Sequence, residues 1–354
     1  MEKILSSYAI KMVGEKVFRK IIRGKSMKVI KGIVLLKFLL MFPVVMFAGL
    51  IPDTVINKNG ADTTKVKHWK HKALYTFGLN QMAFSNWAAG GESSLSAKAT
   101  TDYELKYTKK RFTFDHSAKL AFGMVGYIDK RVEKTDDKLD LSFALSHKWQ
   151  KNLDFTGLIL FKSQFANGYK YPDDSTLISS FMAPGYLTVS LGFNYKPVKK
   201  FQIFMSPVAG KLILVMNREL ADKGAYGVKK AEVDTAGNIL VHGQRYNGKL
   251  GLNIVTSYKG KISKNIDVNT VLNLYNNYID PEISNRWNID VDWDNRFIFS
   301  FNKFFATILY FHLKYDDDAV VPVYKMVDGE KVKVSESPKL QFKESIGLSF
   351  TYKI

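Results

Sequence analysis

The residues best placed to do chemistry are carboxylates. In the stretch DVDWD, Asp290, Asp292 and Asp294 alternate with apolar neighbours. On an extended strand that spacing sets all three on one face, about 7 Å apart. YDDDA adds Asp316, Asp317 and Asp318 at a strand end. Such a row would suit a hard cation or a cation-preferring passage. The plainer reading is solvated carboxylates paired with lysines of neighbouring strands. A second group, Lys98, Asp102, Glu104 and Lys106, mixes both signs on the even positions of LSAKATTDYELKYT, and Lys119 extends it on the next run. Opposite charges so spaced can pair across a watery space, whereas a lipid-facing surface could not carry them cheaply.

Other chemistries fail on residue type or spacing. The chain has no Cys, so disulfides, thiolate metal sites and cysteine nucleophiles are excluded. No P-loop, H-E-x-x-H or dinucleotide-binding G-x-G-x-x-G in a βαβ setting occurs. His68 and His71 are three apart, a spacing that could hold a metal, but they read as part of a linker ahead of the first strand. Outer-membrane phospholipases place a His-x-Ser pair on a barrel wall; here no His precedes a Ser by two positions, and His116 and Ser117 are adjacent and so face opposite ways. A lipase triad is therefore not expected. The sequence predicts no catalytic residues, no cofactor, no metal and no enzymatic activity.

What positions the charges is a march of strands. From Leu95 to Tyr107 every second residue lacks charge and is mostly apolar, while those between are polar. The same period of two recurs along the chain, as at Leu187, Val189, Leu191, Phe193 and Tyr195, and it is the strand signature. Twelve strands are expected, over 73–84, 94–107, 112–127, 139–149, 153–166, 186–195, 201–215, 246–258, 265–278, 287–301, 304–315 and 339–354. Most are longer than the ~5–6 residues of a typical soluble strand and suit a tilted bilayer crossing of roughly 9–11. Connections alternate between short and mostly longer, as if turns lay at one end and loops at the other. Residues 217–223, NRELADK, suit a turn or two of helix. Pro207 in the seventh strand, where the apolar phase shifts, predicts a bulge.

These features give the fold class as all-β, a transmembrane antiparallel up-and-down β-barrel of about 12 strands. The apolar face turns to lipid and the polar face, with Lys98, Asp102, Glu104, Lys106, Lys119, Asp290, Asp292 and Asp294, lines the lumen. Closure is required, because an unpaired sheet edge costs several kcal/mol per backbone group in hydrocarbon. The last strand must therefore pair with the first.

The N-terminus reads as an address. Lys28 and Lys31 precede an apolar run within residues 27–50, which Lys37 and Pro43 interrupt. This is an export-signal pattern rather than a membrane helix. The expected organisation is a leader and signal peptide over 1–52, with Met27 as an alternative start, a short periplasmic segment over 53–72 and the barrel over 73–354. Export implies a cell outer-membrane location. The formal charge is +19, of which residues 1–49 supply +8. Much of the remaining excess sits in short connections rather than on one stripe, so no nucleic-acid partner is expected. The expected partners are outer-membrane lipid and, during biogenesis, the insertion machinery. No particular solute or protein partner is legible.

Several segments carry a resemblance. FSNWAAGGESS (84–94), SPVAGKLILVMNRELADKGAYGV (206–228), DVDWDNRFIFSFNKF (290–304) and LKYDDD (313–318) are similar to an uncharacterised family of Bacteroidetes outer-membrane β-barrels, a domain of unknown function. The resemblance implies a barrel and a compartment over residues 65–354, and no activity. Within the first segment Asn86, Trp87, Gly90 and Gly91 form a candidate loop motif: the glycines permit positive φ and Trp87 would sit at the barrel mouth or the interface. The functional expectation is a small-solute channel or uptake component. A closed barrel that presents its loops as a binding or structural surface is the alternative, and a lipid-modifying enzyme ranks lower.

Overall fold

The structure is a computed structural model and describes residues 68–82, 92–127, 132–171, 173, 175–317, 320–327 and 330–353. The leader, most of the segment expected over 53–72, Asn86, Trp87, Gly90, Gly91 and Asp318 lie outside the described residues. Twelve long strands form one closed antiparallel barrel in which each strand pairs with its neighbours in the chain. They are β1 (Trp69–Met82), β2 (Ser94–Lys109), β3 (Phe112–Tyr127), β4 (Val132–Gln150), β5 (Leu153–Ser163), β8 (Gly185–Val198), β9 (Phe201–Leu214), β12 (Tyr246–Ser263), β13 (Ile266–Asn277), β14 (Ile289–Ser300), β15 (Phe305–Tyr315) and β18 (Gln341–Lys353). Three two-stranded ribbons, β6 (Gly168–Tyr169) with β7 (Leu177–Ser179), β10 (Glu232–Val233) with β11 (Ile239–Val241) and β16 (Val320–Val327) with β17 (Glu330–Pro338), stand in the loops. The short helix α1 (Arg218–Asp222) begins under an Asn217 cap whose side chain accepts from the Leu220 amide.

The barrel closes as its backbone chemistry demands. β1 pairs with β18 from Leu74↔Lys353 to Gly78↔Ser349. Its wall has two chemically distinct faces. Outward positions carry Phe77, Leu79, Leu145, Val189, Leu191, Ile346 and Leu348, all exposed. Inward positions carry most of the charged and amide residues, with Glu344 of β18 an exception on the outward phase beside Phe342 and Ile346. An exposed apolar belt of this extent is unstable against water and is the surface a membrane barrel presents to hydrocarbon. Aromatics stand near the turns: Trp69 packs on Tyr107 at 4.6 Å and Trp149 on Phe193 at 5.4 Å. No helix among the described residues is long and apolar enough to cross a membrane, and crossing by strands is a separate matter.

All twelve expected strands are present, with five corrections, one of which is that β12 runs on to Ser263 instead of ending at 258. β1 begins at Trp69, so 69–72 belong to the barrel and not to a linker; they pair with Leu105–Tyr107 of β2 and with Glu104. His71 is thus a strand residue, and His68 Nδ1 lies 2.9 Å from the Thr108 carbonyl oxygen. β4 begins at Val132 rather than 139, because the charged run VEKTDDK pairs with Ala121–Gly126 through a bulge. The β3–β4 connection is consequently short, against the pattern of long loops at that end. β5 stops at Ser163, three residues early, where the chain leaves the barrel for the β6–β7 ribbon. The loop ribbons were not expected. The bulge at Pro207 is real: Ser206 and Pro207 together oppose Gly192, and Ser206 Oγ donates to the Leu191 carbonyl at 2.8 Å. A Cβ on Gly192 would meet the Met205 carbonyl oxygen at 2.0 Å, so glycine is required there.

Candidate functional site

The strand alternation points Asp290, Asp292 and Asp294 of β14 into the lumen. Each is engaged by a lysine from elsewhere in the wall. Lys211 of β9 reaches Asp290 at 2.8 Å, Lys162 of β5 reaches Asp292 at 2.7 Å and Lys138 of β4 reaches Asp294 at 2.5 Å. His312 Nε2 sits 3.0 Å from the other oxygen of Asp292, and Tyr310 donates its hydroxyl to Asp294 at 2.8 Å. Lys119 stands 4.0 Å from Asp294, and Lys138 also lies 3.3 Å from Asp140.

The expectation that these carboxylates pair with neighbouring strands is therefore corrected. In the order around the barrel, β4 is six strands from β14, which in a twelve-stranded ring is diametrically opposite. The Lys138–Asp294 pair spans the lumen. Glu104 of β2 pairs with Lys259 of β12, again six strands away. Arg296 of β14 pairs with Asp102 of β2, and Lys343 of β18 reaches Asp136 of β4 at 2.7 Å beside Lys98 at 2.6 Å. Side chains that touch from opposite walls narrow the bore at their level. Each such pair is stable in that setting because neither charge is left uncompensated away from bulk water. No group of three or more His, Asp or Glu among the described residues is arranged to hold a metal.

Nearer the turns the chemistry changes. Lys106 pairs with Asp115 at 3.1 Å and Lys196 with Asp154 at 2.9 Å, while Lys261 and Lys353 share Asp267 at 4.0 and 3.3 Å. Lys70 and Lys72 of β1 and Lys148 of β4 share the inward phase and have no acidic partner among the described residues. Every one of the five turns also carries Lys or Arg and none carries an acid: Lys110 and Arg111, Lys151, Lys199 and Lys200, Lys264, and Lys303. A cavity of ≈ 1600 Å³ runs inside the barrel from this basic vestibule past the cross-lumen pairs to Tyr186 and Asp316. In that upper part Lys211 lies 5.0 Å from the Tyr275 ring and Lys314 lies 4.9 Å from the Tyr186 ring, distances that suit cation–π attraction.

The loop end is packed by its own apolar residues. Ala183, Val215, Leu220, Ala221 and Val228 form a buried cluster that joins the 164–184 and 215–245 loops. Tyr226 Oη donates to the Ile178 carbonyl at 2.6 Å across them. Gly224, Tyr226 and Gly227 all take positive φ here, which accounts for the glycines of the GAYG segment. Asp222 accepts from the Gly243 amide at 2.8 Å and faces His242 Nδ1 at 3.0 Å. Desolvation works against its ionisation, but those two partners outweigh it and hold the carboxyl below its ordinary value.

The eight lumen residues named from sequence all face inward, and the structure engages each in an ion pair or small cluster rather than in one network. Sequence reasoning did not find Lys138, Lys162, Lys211, Asp136, Arg296 or Lys343. A signal was present: all six sit on the polar phase, and counting six strands onward from the fourth lands on the tenth, which is β14. His116 and His147 sit on the outward face as their phase implied, stacked on Phe143 at 4.4 Å and beside Phe112 at 4.8 Å.

A family model described as a protein of unknown function (DUF3078) matches residues 79–169. No curated protein matches the chain. Among solved structures, the chain is similar to the COG4313 outer membrane channel from Pseudomonas putida F1, at 12% identity and a TM-score of 0.35, over 84% of this chain and 100% of that one. It is also similar to the translocator domain of the autotransporter NalP from Neisseria meningitidis, at 8% identity and a TM-score of 0.34, over 83% of this chain and 90% of that one.

Proposed function

We propose that this protein is an outer-membrane barrel that passes small polar solutes, with its bore held narrow by ion pairs that cross it. The observation that carries the reading is the Lys138–Asp294 pair at 2.5 Å between diametrically opposite strands, inside a continuous charged cavity. An apolar outer belt supports residence in lipid, and the export-signal pattern of residues 27–50 supports delivery to the outer membrane. A filled barrel that acted only as a scaffold would not need a cavity bordered by charged side chains along its length. Its alternatives in water are few: the side chains of Lys138 and Lys162 are long and can swing aside, which makes the closure adjustable. On this reading the protein acts by passage and not by catalysis.

Single-channel recording of the purified barrel in a planar bilayer tests this. The native protein is expected to show small, brief conductance steps. The charge-neutral double variant K138A/D294A is expected to show steps at least about twofold larger, since the cross-lumen strut is gone. Silence from both proteins would remove the passage reading and leave the closed, loop-presenting barrel. Turnover of phospholipid or lipopolysaccharide by the purified protein would contradict the non-enzymatic reading.

A further inference from the structure

Resting on that reading, we propose that the turn-end vestibule is an anion site and that the passage prefers small oxyanions, carboxylates or phosphates. In the middle of the lumen acids and bases compensate one another by direct contact. At the turn end they do not. Four acids, Glu104, Asp115, Asp154 and Asp267, are each already taken by at least one lysine. Lys261 and Lys353 divide one carboxylate between them. Among the described residues Lys70, Lys72 and Lys148 have none, and Lys72 stands in register opposite Glu104 while that carboxylate is paired with Lys259.

Of this excess Lys70 and Lys72 line the concave vestibule, whereas Lys148 lies outside the cavity lining. Lys70, Lys72, Lys106, Lys259 and Lys353 all border one cavity. A cleft walled by low-dielectric protein focuses the field of such charges and raises the local concentration of counter-ions. Turn cations with no interspersed acid extend the same potential to the rim. An anion entering from this end meets ammonium groups first. A cation of similar size meets repulsion before it reaches the β14 aspartates, whose charges are already matched by Lys138, Lys162 and Lys211. A tetrahedral or planar oxyanion suits the site because several separate ammonium donors can bond to its oxygens at once. The row of aspartates alone suggested cation preference; once those carboxylates are paired, the unpaired charge left in the lumen is positive.

The test uses neutral phosphatidylcholine bilayers, so that lipid headgroups contribute no net anion. The reversal potential is measured across a tenfold KCl gradient for the native barrel and for K138A/D294A, each with and without K70E/K72E/K148E. The native lumen is expected to favour chloride over potassium at least about threefold, and the triple reversal to bring that ratio to one or below. Conductance with a cation preference in the native protein would overturn the anion proposal while leaving passage intact. Absence of any conductance would remove passage, and the site is then judged by calorimetry in detergent with inorganic phosphate and citrate as probes. Binding that the triple reversal abolishes supports the site. Binding unchanged by it, or none to the native protein, overturns it. Blockade by phosphate but not citrate, or the reverse, distinguishes the two oxyanion classes.

Discussion

The middle of the lumen and its turn end are lined by the same residue types on the same strands, yet they are organised in different ways. In the middle, Asp292 and Asp294 on β14 are held by Lys162 and Lys138 from the far side, so charge works as a set of struts. At the turn end, charge of one sign is in surplus: Lys261 and Lys353 share one carboxylate, and Lys70, Lys72 and Lys148 reach no acid among the described residues. The difference separates two uses of ionic side chains. A matched pair across a narrow space fixes shape and contributes little net field. An unmatched cluster fixes nothing and contributes mostly field. Shape control should then be sought by breaking pairs, and selectivity by reversing the unmatched lysines.

The largest effect is expected from breaking one partner of a strut. Asp294→Ala leaves Lys138, Lys119 and the Tyr310 hydroxyl without their shared acceptor. We expect a loss of about 2–4 kcal/mol in reversible urea unfolding from lipid vesicles, below the full value for a buried pair because cavity water can solvate the orphaned lysine. A loss under about 0.5 kcal/mol would mean that the strut is not structural. Next comes the contact itself. A double-mutant cycle over Lys138→Ala and Asp294→Ala should give a coupling of about 1–3 kcal/mol, whereas a cycle over Lys148 and Asp294 should give none. Equal couplings would erase the distinction between the two regions. Smaller again is the vestibule alone: Lys148→Gln should change stability by less than about 0.5 kcal/mol. Raising salt from 0.1 to 1 M, which shortens the screening length from ~10 to ~3 Å, should lower the ion selectivity that Lys70, Lys72 and Lys148 confer while sparing the pairs in the middle. The smallest effect is at the loop end. The Asp222 carboxyl is depressed in the folded protein, so its contribution is present above the ordinary carboxylate pKa of about 4 and is lost as pH falls through the folded value. Acidification should loosen protease protection of the 215–245 loop in the native protein but not in Asp222→Asn, and leave the barrel intact.

Much of the barrel was legible because lipid imposes a strict rule on every second residue. Wherever the wall meets hydrocarbon, as along Leu187–Tyr195, the period of two cannot be missed. The rule lapses above the bilayer. Val132–Lys138 is strand, yet after Val132 both of its faces carry only polar and charged residues, so its sequence reads as a charged loop. The ribbons of β6–β7, β10–β11 and β16–β17 went unseen for the same reason. At the site, alternation was enough to say which residues face inward, and all eight lumen candidates do. It could not say which of them meet, because alternation orders residues along a strand and carries nothing about the strand across the ring. Lys138 and Asp294 are 156 positions apart, and only the closed twelve-strand count brings them together.

The account stands on the opposite wetting of alternate residues, and one measurement reaches it directly. The chain has no native Cys, so single cysteines can be placed at 345, 346, 347 and 348 on β18 and labelled in lipid vesicles. We expect a water-soluble maleimide to reach positions 345 and 347 from the lumen. We expect fluorophores attached at 346 and 348, where Ile346 and Leu348 are 70% and 59% exposed on the outer wall, to be quenched by nitroxide-bearing acyl chains. The reverse pattern, or labelling of all four positions from water without quenching, would contradict it.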